Sequence, residues 1–576
     1  MAVDIQSPSE QREVGPFWHR PPHGPMNGTR DHINMADHDN SPPGPPDTTT
    51  TRVRLAIAVL VTYVCLFNGL TAFGLVGPDE PRYAAIARDM AVSDDWVTPR
   101  LHGEPWLEKP ILYYWVAAVG YRVFGDSEWA ARLPSVAGAA TSMLALGWLA
   151  RRFYGGPTAT LFVLLFPSSI AILVFARAAT TDMLFSATLA LALASSAPLV
   201  LLRQPRGTLG YQIGFGAALG LAVLAKGPAG VVLAGSAITI GALLARRLPL
   251  VWRLASPWSL GTFALVALPW YVLCALRNPE FIQVFLISHN VERFLTPIFQ
   301  HQQPFWYFAP VLLLGLAPWT AAIVATVYAA ATTVTRRDWA GSPSMFLAGW
   351  VIFPVVFFSL SQSKLPGYVL PAIPAAIVLL ARALALATTR PAAARAVGLG
   401  TAAVLAAMAV AFLVSPGVAS AGVEAGAVRP LGVLLSLAAV ATGYVGSRGQ
   451  LQAGVAVAAL TIALGLWQLN TTLMPRLDPA ISTRVTAGEA RHLANGMPVR
   501  TYALHRAWHY GLEYYLHRAL PEWTSDTPPG ALVVTNRRGM RAMQLEGAGI
   551  VVLRNVSADA MLVRTDPNGE RLTIGR

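Results

Sequence analysis

Long apolar stretches are the feature that most constrains how this chain can fold. From Arg52 onward, runs of about 15 to 25 mainly apolar residues follow one another with short polar or Gly/Pro-containing links between them. About 20 apolar residues in a helix cross the hydrocarbon core of a bilayer. Only helices and closed barrels satisfy the backbone there, and these runs lack the alternation of a barrel strand. The sequence therefore predicts an α-helical polytopic membrane protein.

The pattern predicts about thirteen transmembrane helices. They are expected at roughly 53–75, 131–150, 157–177, 183–202, 211–225, 229–245, 257–276, 305–330, 344–361, 367–388, 396–414, 430–446 and 451–470.

Composition excludes several other classes of protein. Charged residues make up 13% of the 576 residues and hydrophobic residues 54%, whereas a soluble domain carries about 25% charged residues. The net charge is +13, but the basic clusters interleaved with aromatic residues that bind nucleic acid are missing. Cys65 and Cys274 each lie inside an apolar run, so neither a disulfide framework nor a cysteine metal site is expected.

Arginines in short loops indicate the orientation of the spans, because basic residues favour the cytoplasmic side. A cytoplasmic N-terminus places seven loop clusters on that side: Arg52 and Arg54; Arg151 and Arg152; Arg203 and Arg206; Arg246, Arg247 and Arg253; Arg336 and Arg337; Arg390 and Arg395; and Arg448. The same orientation places loops at about 76–130 and 277–304 on the outer face, together with the C-terminal segment.

Three regions follow from this pattern. Residues 1–51 are rich in Pro, His and Asp and are predicted to form a disordered cytoplasmic tail. Residues 52–470 form the transmembrane domain. Residues 471–576 contain strand-like runs at 531–535 and 549–554, and predict a small external α/β domain.

Polar chemistry is concentrated in the first external loop, in GPDEPRYAAIARDM (77–90) and DDWVTPRLHGEPWLEKPILYYW (94–115). These charges would be costly in lipid, so they are expected at the interface or in a cavity. The segment 111–124 is short for a span and is predicted to be an in-plane or re-entrant helix.

All three lysines of the chain precede a proline closely: Lys109 directly, Lys226 before Gly-Pro and Lys364 before Leu-Pro. In the predicted orientation each lies at the external end of a span, against the usual cytoplasmic preference. Three outward cations favour an anionic ligand such as a phosphate. The alternative is that each lysine merely extends its ammonium group from a helix end into water.

Two further polar features lie at the edges of apolar runs. Asp182 begins one run and is either a functional carboxylate or a helix N-cap. His289 and Arg293 are four residues apart and would share one face of a helix. A metal site formed by His289 and Glu108 lacks a third ligand at a typical spacing, and the alternative for His289 is an ordinary hydrogen-bonded polar residue.

Nine strings occur in order along residues 53–390: GPDEPRYA, GEPWLEKPILYYW, EWAARLPS, ARAATTDM, AKGPAG, LPWYV, HNVERF, HQQPFWYF and SKLPGYVLPAIP. Together they resemble the lipid A aminoarabinose transferase branch of the C-type, polyprenyl-phosphate-dependent glycosyltransferases, which are related to the protein O-mannosyltransferases. The resemblance implies the C-type glycosyltransferase fold.

The resemblance also implies roles for individual residues. Asp79 and Asp182 match catalytic carboxylates. Lys109 and Arg293 match the residues that hold the carrier phosphate. The resemblance adds Glu80, Arg82, Tyr83 and Tyr368 as substrate-binding positions, and Lys364 joins them as one of the three outward lysines. Glu108 and His289 match positions where some members hold a divalent metal such as zinc.

The implied function is transfer of a sugar from a polyprenyl (undecaprenyl) phosphate donor to lipid A or another glycolipid, glycan or protein. The reaction is expected on the periplasmic face of the inner membrane, with a monomeric enzyme. The phosphate leaves as an anion, so Lys and Arg stabilise it without a protonating acid. A hydroxyl acceptor would need Asp79 as general base, whereas a phosphate acceptor needs only alignment. A single displacement would invert the anomeric centre.

A secondary transporter or lipid flippase is the main alternative. Transporters place ionisable residues near the midplane and often show repeated halves, whereas the charges here gather outside and no repeat is visible. A structural scaffold for the C-terminal domain is a third hypothesis, but it leaves the outward lysines unexplained.

Overall fold

The computed structural model describes residues 48–285, 287, 302–333, 339–414, 425–566 and 568. The predicted tail at 1–51 lies almost entirely outside the described residues, and so do His289 and Arg293. The elements below belong to the compact unit Arg52–Arg576, with the first helix beginning a few residues earlier.

Helices form most of the described chain. In chain order they are α1 Thr48–Leu66, α2 Asp79–Ser93, α3 Leu112–Phe124, α4 Glu128–Tyr154, α5 Gly156–Ser168, α6 Ile170–Phe175, α7 Thr181–Leu201, α8 Thr208–Lys226, α9 Ala229–Leu244, α10 Pro257–Arg277, α11 Phe308–Gly315, α12 Ala321–Thr333, α13 Pro343–Leu360, α14 Ile373–Ala387, α15 Pro391–Val414, α16 Ala425–Ser447, α17 Leu451–Gln468, α18 Met474–Ile481, α19 Arg484–Ala494, α20 Arg506–Leu516 and α21 Arg537–Leu545.

Eight segments of the described residues are long and apolar enough to cross a membrane: Glu128–Tyr154, Thr181–Leu201, Thr208–Lys226, Pro257–Arg277, Pro366–Ala387, Pro391–Val414, Val428–Ser447 and Leu451–Ile481. Helices α5, α9 and α13 are apolar but shorter. The chain is therefore a helical polytopic membrane protein, as the sequence predicts. The count of thirteen spans stays a prediction.

Two of the predicted spans are interrupted. The span at 157–177 divides into α5 and α6 because Ser169 adopts an extended conformation between them. The span at 305–330 divides into α11 and α12, with residues 316–320 as the link. Each half is too short to cross a bilayer alone, because a helix rises only about 1.5 Å per residue.

Helix α7 lies at the centre of the bundle. Of its most apolar stretch 89% is buried, and it packs against α4 and α8. A small residue of α4 allows this close packing. Gly138 approaches the backbone of Leu184 so closely that a Cβ at Gly138 would lie 3.1 Å from the Leu184 Cα. The start of α7, which carries Asp182, is therefore fixed inside the protein.

The first polar loop folds back onto the bundle. It contains α2, a two-stranded antiparallel hairpin (β1 Arg100–Leu101 and β2 Glu104–Pro105) and α3. Helix α3, predicted as an in-plane or re-entrant helix, packs against α2 and α4 and buries Tyr113 and Tyr114.

The C-terminal segment carries a four-stranded mixed sheet. Its strands are β3 Val499–Thr501, β4 Leu532–Thr535, β5 Ile550–Asn555 and β6 Met561–Thr565, in the order β3-β4-β6-β5. Strands β3 and β4 are parallel and the other pairs are antiparallel. The strand-like runs at 531–535 and 549–554 form β4 and β5.

A buried ion pair fixes the start of the first loop. Glu80 is 4% exposed, and its Oε2 accepts hydrogen bonds from Arg132 of α4 at 2.9 Å and from the Val76 amide at 2.9 Å. Its Oε1 accepts from the Ala179 amide, just before α7, at 2.8 Å. The carboxylate thus joins α2, α4 and the start of α7.

Arg132 extends the same network to the end of the first helix. Its guanidinium donates to the carbonyl oxygens of Leu70, Phe73 (3.1 Å) and Gly74 (2.9 Å). These carbonyls belong to residues that follow the end of α1, so they would otherwise lack hydrogen-bond donors. Both charges are therefore compensated, as buried ions require.

Glu80 was expected to contact substrate, and its surroundings argue against that role. Both of its oxygens are occupied by protein donors and its side chain is buried. We assign it instead to holding the loop that begins with Asp79.

We predict that Glu80→Gln destabilises the protein, because Arg132 would be left buried without a counter-charge. Breaking one side of a buried ion pair costs about 3 to 5 kcal/mol. The midpoint of thermal unfolding in detergent should fall clearly below that of the parent. Glu104→Gln, at an exposed carboxylate of the hairpin, is the matched control and should leave the midpoint unchanged. Equal midpoints for the two variants would contradict the assignment.

Candidate functional site

Asp79 and Arg82 form an ion pair at the first turn of α2. Arg82 donates from Nη2 to Asp79 Oδ1 at 2.6 Å. The carboxylate side chain is 49% exposed while the guanidinium is 11% exposed. The first turn of a helix favours a negative charge. Asp79 is therefore held in one orientation by a buried partner and remains reachable from outside.

Aromatic rings surround the guanidinium of Arg82. Its Cζ lies 4.8 Å from the ring centroid of Trp106 and 5.4 Å from those of Tyr83 and Tyr510. Such cation–π contacts fix a guanidinium where water is scarce. Tyr510 belongs to α20 of the C-terminal segment, which sequence reasoning did not connect with the site. The aromatic run AWHYGLEYY (507–515) was the available signal.

Tyr83 is a buried tyrosine whose pKa is influenced by several charged residues of the site. The side chain is buried against Tyr113 and Tyr114, with ring centroids 5.8 and 6.0 Å away. Burial raises the pKa of Tyr83, and the charges of Asp79, Asp182 and Glu108 raise this pKa further. The phenol of Tyr83 therefore stays neutral at physiological pH.

Asp182 pairs with Lys226. Asp182 lies in the first turn of α7, and its Oδ1 accepts from the ammonium of Lys226, the last residue of α8. The two side chains are 23% and 20% exposed. The residue at the N-cap position is Thr180, so the N-cap alternative does not describe Asp182.

The segment 363–368 closes around this pair. The Lys226 ammonium lies 5.4 Å from the ring centroid of Tyr368. A Cβ at Gly367 would lie 3.0 Å from Asp182 Oδ2, so a residue without a side chain allows the approach. Lys364 is 7% exposed and donates to the Ser361 carbonyl at 2.6 Å. Tyr368 and Asp182 are thus brought together, with Lys226 between them.

Glu108 and Lys109 lie on the loop beside Arg82. Burial lowers the pKa of Arg82, but Tyr83, Asp79 and Glu108 act in the opposite direction and raise this pKa above its usual value. Both Glu108 and Lys109 are half-buried. The proposed metal partner His289 and the phosphate ligand Arg293 are outside the described residues. Within the described part, no group of three or more His, Cys, Asp or Glu residues could hold a metal.

Helix α20 docks on this loop through a buried carboxylate. Glu513 is 5% exposed, and its two oxygens lie 3.0 Å from His102 Nε2 and 3.2 Å from His509 Nε2. Burial alone would raise the pKa of Glu513, but hydrogen bonds to the two histidines lower it to about 2. The bond to Glu513 raises the pKa of His102.

Two tyrosines extend the docking. The hydroxyl of Tyr515 accepts from the Leu75 amide at 2.8 Å and donates to Glu128 at 3.0 Å. The hydroxyls of Tyr514 and Tyr121 lie 3.0 Å apart. Residues far apart in the chain thereby hold the C-terminal segment on the loop that carries Asp79.

Comparisons with known proteins agree with this architecture. The family model described as dolichyl-phosphate-mannose-protein mannosyltransferase matches residues 108–273. The undecaprenyl phosphate-α-4-amino-4-deoxy-L-arabinose arabinosyl transferase of Edwardsiella ictaluri is 31% identical over 335 residues, which are 57% of this chain and 58% of that protein. Such a transferase of Pseudomonas fluorescens is 32% identical, over 58% of this chain and 57% of its own length. The chain thus matches somewhat more than half the length of these curated relatives.

A solved structure matches over most of the chain. The crystal structure of ArnT from Cupriavidus metallidurans bound to undecaprenyl phosphate is 26% identical and has a TM-score of 0.74. The match covers 90% of this chain and 98% of that one. The resemblance to the lipid A aminoarabinose transferase branch is confirmed. Within this aminoarabinose-transferase-like chain, the docked helix α20 is a feature that the nine sequence strings did not include.

We predict that docking of α20 weakens as the pH rises above neutrality. The pKa of His102 is raised in the folded protein. Protonated His102 therefore stabilises docking fully below its unfolded-state pKa of about 6.5, and this stabilisation is lost as the pH rises through the folded-state pKa. The lowered pKa of Glu513 keeps its own contribution constant above about pH 4.5. Amide hydrogen exchange in α20, corrected for the intrinsic pH dependence, should show protection that falls as the pH rises above about 6.5.

His102→Phe should remove this pH dependence, while His492→Phe, at an exposed histidine of α19, should retain it. Unchanged protection of α20 across the range in the parent protein would show that His102 does not contribute to docking.

Proposed function

We propose that this chain is an integral membrane glycosyltransferase that moves a sugar from undecaprenyl phosphate, or a related polyprenyl phosphate, to an envelope acceptor such as lipid A. The observation that carries the proposal is the likeness, over 98% of its length, to ArnT bound to undecaprenyl phosphate. The ion pairs of Asp79 with Arg82 and of Asp182 with Lys226 support it. Another glycolipid, glycan or protein acceptor fits the same chemistry.

The proposed topology has thirteen spans in the inner membrane, a cytoplasmic tail at 1–51, a transmembrane domain at 52–470 and a periplasmic α/β domain at 471–576. The loops at 76–130 and 277–304 would carry the site outside. The end of α8 and the start of α7 lie at one end of the bundle, with Lys226 beside Asp182. The predicted cytoplasmic arginines at 203 and 206 follow the opposite end of α7. We propose a monomer as the active form.

On the donor side, cations would stabilise the departing carrier phosphate. Breaking the bond between the anomeric carbon and the phosphate oxygen leaves both bonding electrons on the phosphate, which needs positive charge rather than a proton. Lys109, Lys364 and Arg293 are the proposed ligands, with Tyr368 beside them. Lys226 joins this set because it lies beside Tyr368. Asp182 would act by orienting Lys226.

On the acceptor side, Asp79 would accept the proton of an attacking hydroxyl. Its exposure allows an acceptor to approach, and Arg82 holds the carboxylate in place. Attack opposite the leaving phosphate would invert the anomeric centre. An acceptor phosphate is already deprotonated, and Asp79 would then only help to align it. The sugar would be a pentose or a hexose.

Glu108 and His289 are the two residues proposed to bind a divalent metal such as zinc. When bound, it would supply positive charge near the carrier phosphate. The described residues contain one of these two ligands and no third, so they do not by themselves form a metal site. The steps above are therefore assigned to side chains of the chain alone.

The proposal is tested by sugar transfer in detergent from undecaprenyl phosphate carrying radiolabelled 4-amino-4-deoxyarabinose to lipid A. The parent should give a covalent product, and Asp79→Asn should lower turnover with a hydroxyl acceptor about 100-fold or more, since general base catalysis contributes about that much. Asp94→Asn is the matched control, because Asp94 is an exposed carboxylate of the same loop that pairs with Arg122.

A transporter or flippase would move the lipid without forming a product. Absence of transfer to lipid A, to other envelope glycolipids and to glycans would contradict the proposed function. Near-normal turnover by Asp79→Asn with a hydroxyl acceptor would remove Asp79 from the role of base.

A further inference from the structure

A basic cavity lies at the ends of α7 and α9, remote in the chain from Asp79. Its volume is about 240 Å³, and it is lined by Arg203, Arg246, Arg247, Pro249, Leu250 and Arg253. Asp182 and Lys226 mark the other ends of α7 and α8. A helix of this length rises about 30 Å. The cavity and the proposed catalytic site therefore occupy opposite ends of the same helices.

Among the described residues, no acidic side chain pairs with the four arginines. The sequence from 183 to 279 contains no aspartate or glutamate at all. Four like charges around one small space repel one another, and an anion in that space would relieve the repulsion.

The arginines differ in how they are held. Arg253 donates to the carbonyls of Leu199, Leu202 and Arg203 at 3.1, 2.8 and 2.8 Å, so it closes the link between α7 and α8. Arg247 has a buried Nε for which the described residues supply no acceptor. Arg253 therefore has a structural task, whereas Arg247, which also lines the cavity, keeps one buried donor without an acceptor among the described residues. The positive-inside preference accounts for basic residues on this side, but not for their convergence where the described residues supply no counter-charge.

The rim of the cavity has the character of a membrane interface. The 3-10 helix Leu248–Ala255 supplies Pro249, Leu250 and Arg253. On its outer side Trp252 is 81% exposed and Leu248 is 42% exposed. Exposed Trp and Leu next to Arg are typical of segments at the level of lipid head groups. The volume is below the roughly 300–1,000 Å³ of pockets for drug-sized ligands and suits a head group.

We propose that this cavity binds a phosphate group, and that its natural source is the head group of an anionic phospholipid. The guanidinium groups of Arg203, Arg246 and Arg247 would contact the phosphate, and the acyl chains would lie along the exposed apolar residues of the rim. Basic pockets between transmembrane helices bind anionic head groups in this way. The site is separate from the proposed donor site and does not depend on the proposed reaction.

Native mass spectrometry of the full-length protein in detergent tests the proposal. The probes are dihexanoyl phosphatidylglycerol, dihexanoyl phosphatidylcholine and inorganic phosphate. The double variant Arg246→Gln/Arg247→Gln should bind phosphatidylglycerol about 10- to 30-fold more weakly than the parent, because each arginine near a head group contributes a few-fold to tenfold. The matched control is Arg151→Gln/Arg152→Gln, an exposed doublet at the end of α4 outside the cavity, which should stay within about twofold.

Tight binding of phosphatidylglycerol with weak binding of the other two probes supports a lipid source. Equal competition by inorganic phosphate supports the anion site but assigns it to soluble phosphate. Should the doublet variant unfold, Arg203→Gln, on the exposed link after α7, serves as the second variant. Binding of both anionic probes that is unchanged in the cavity variants, or lost equally in the Arg151/Arg152 control, would overturn the proposal.

Discussion

The buried ion pair between Glu80 and Arg132 is the interaction on which the candidate site depends. It joins the start of α2, the first part of α4 and the backbone before α7. Asp79 precedes Glu80 directly and cannot move independently of it. Asp182 follows Ala179 by three residues, so the same carboxylate also fixes the approach to the second acidic group. One buried pair thus sets the relative positions of Asp79, the proposed base, and Asp182, which we propose orients Lys226.

The low dielectric of the membrane explains why charges gather at the two ends of the helices. A charge at the centre of the bilayer is costly unless it is paired or faces a cavity. Helices α7 and α8 carry an acid–base pair at one end, and the arginines at the other end pair with no carboxylate among the described residues. We propose that one end holds a sugar donor and the other a phospholipid, so that the same two helices connect the two faces of the membrane.

Apolar patterning and resemblance predicted much of the architecture. The lengths of the apolar runs indicated a helical membrane protein, and nine ordered strings indicated the aminoarabinose transferase branch. Local signals could not show that Lys226 is the partner of Asp182, because 44 residues separate the two. The sequence predicted one helix at 157–177, whereas the structure has two, because hydropathy does not indicate the extended backbone at Ser169.

The contribution of the C-terminal segment to the candidate site could not be predicted from the sequence, for the same reason. Tyr510 reaches Arg82 and Glu513 reaches His102 only after the chain has folded, across 411 residues in the second case. The resemblance placed Glu80 among the substrate-binding positions beside Asp79, whereas in the structure its carboxylate contacts protein donors. Its burial and its three donors could be recognised only from the tertiary structure.

We propose that the Asp79 loop lies outside the cytoplasm, across the membrane from the arginine cavity. Cysteine labelling in spheroplasts with a membrane-impermeant maleimide tests this most directly. Both native cysteines are buried, so Glu104→Cys on the hairpin and Arg152→Cys at the end of α4 can be compared against little background. We expect Glu104→Cys to react in intact spheroplasts and Arg152→Cys to react only after permeabilisation. The reverse pattern would contradict it.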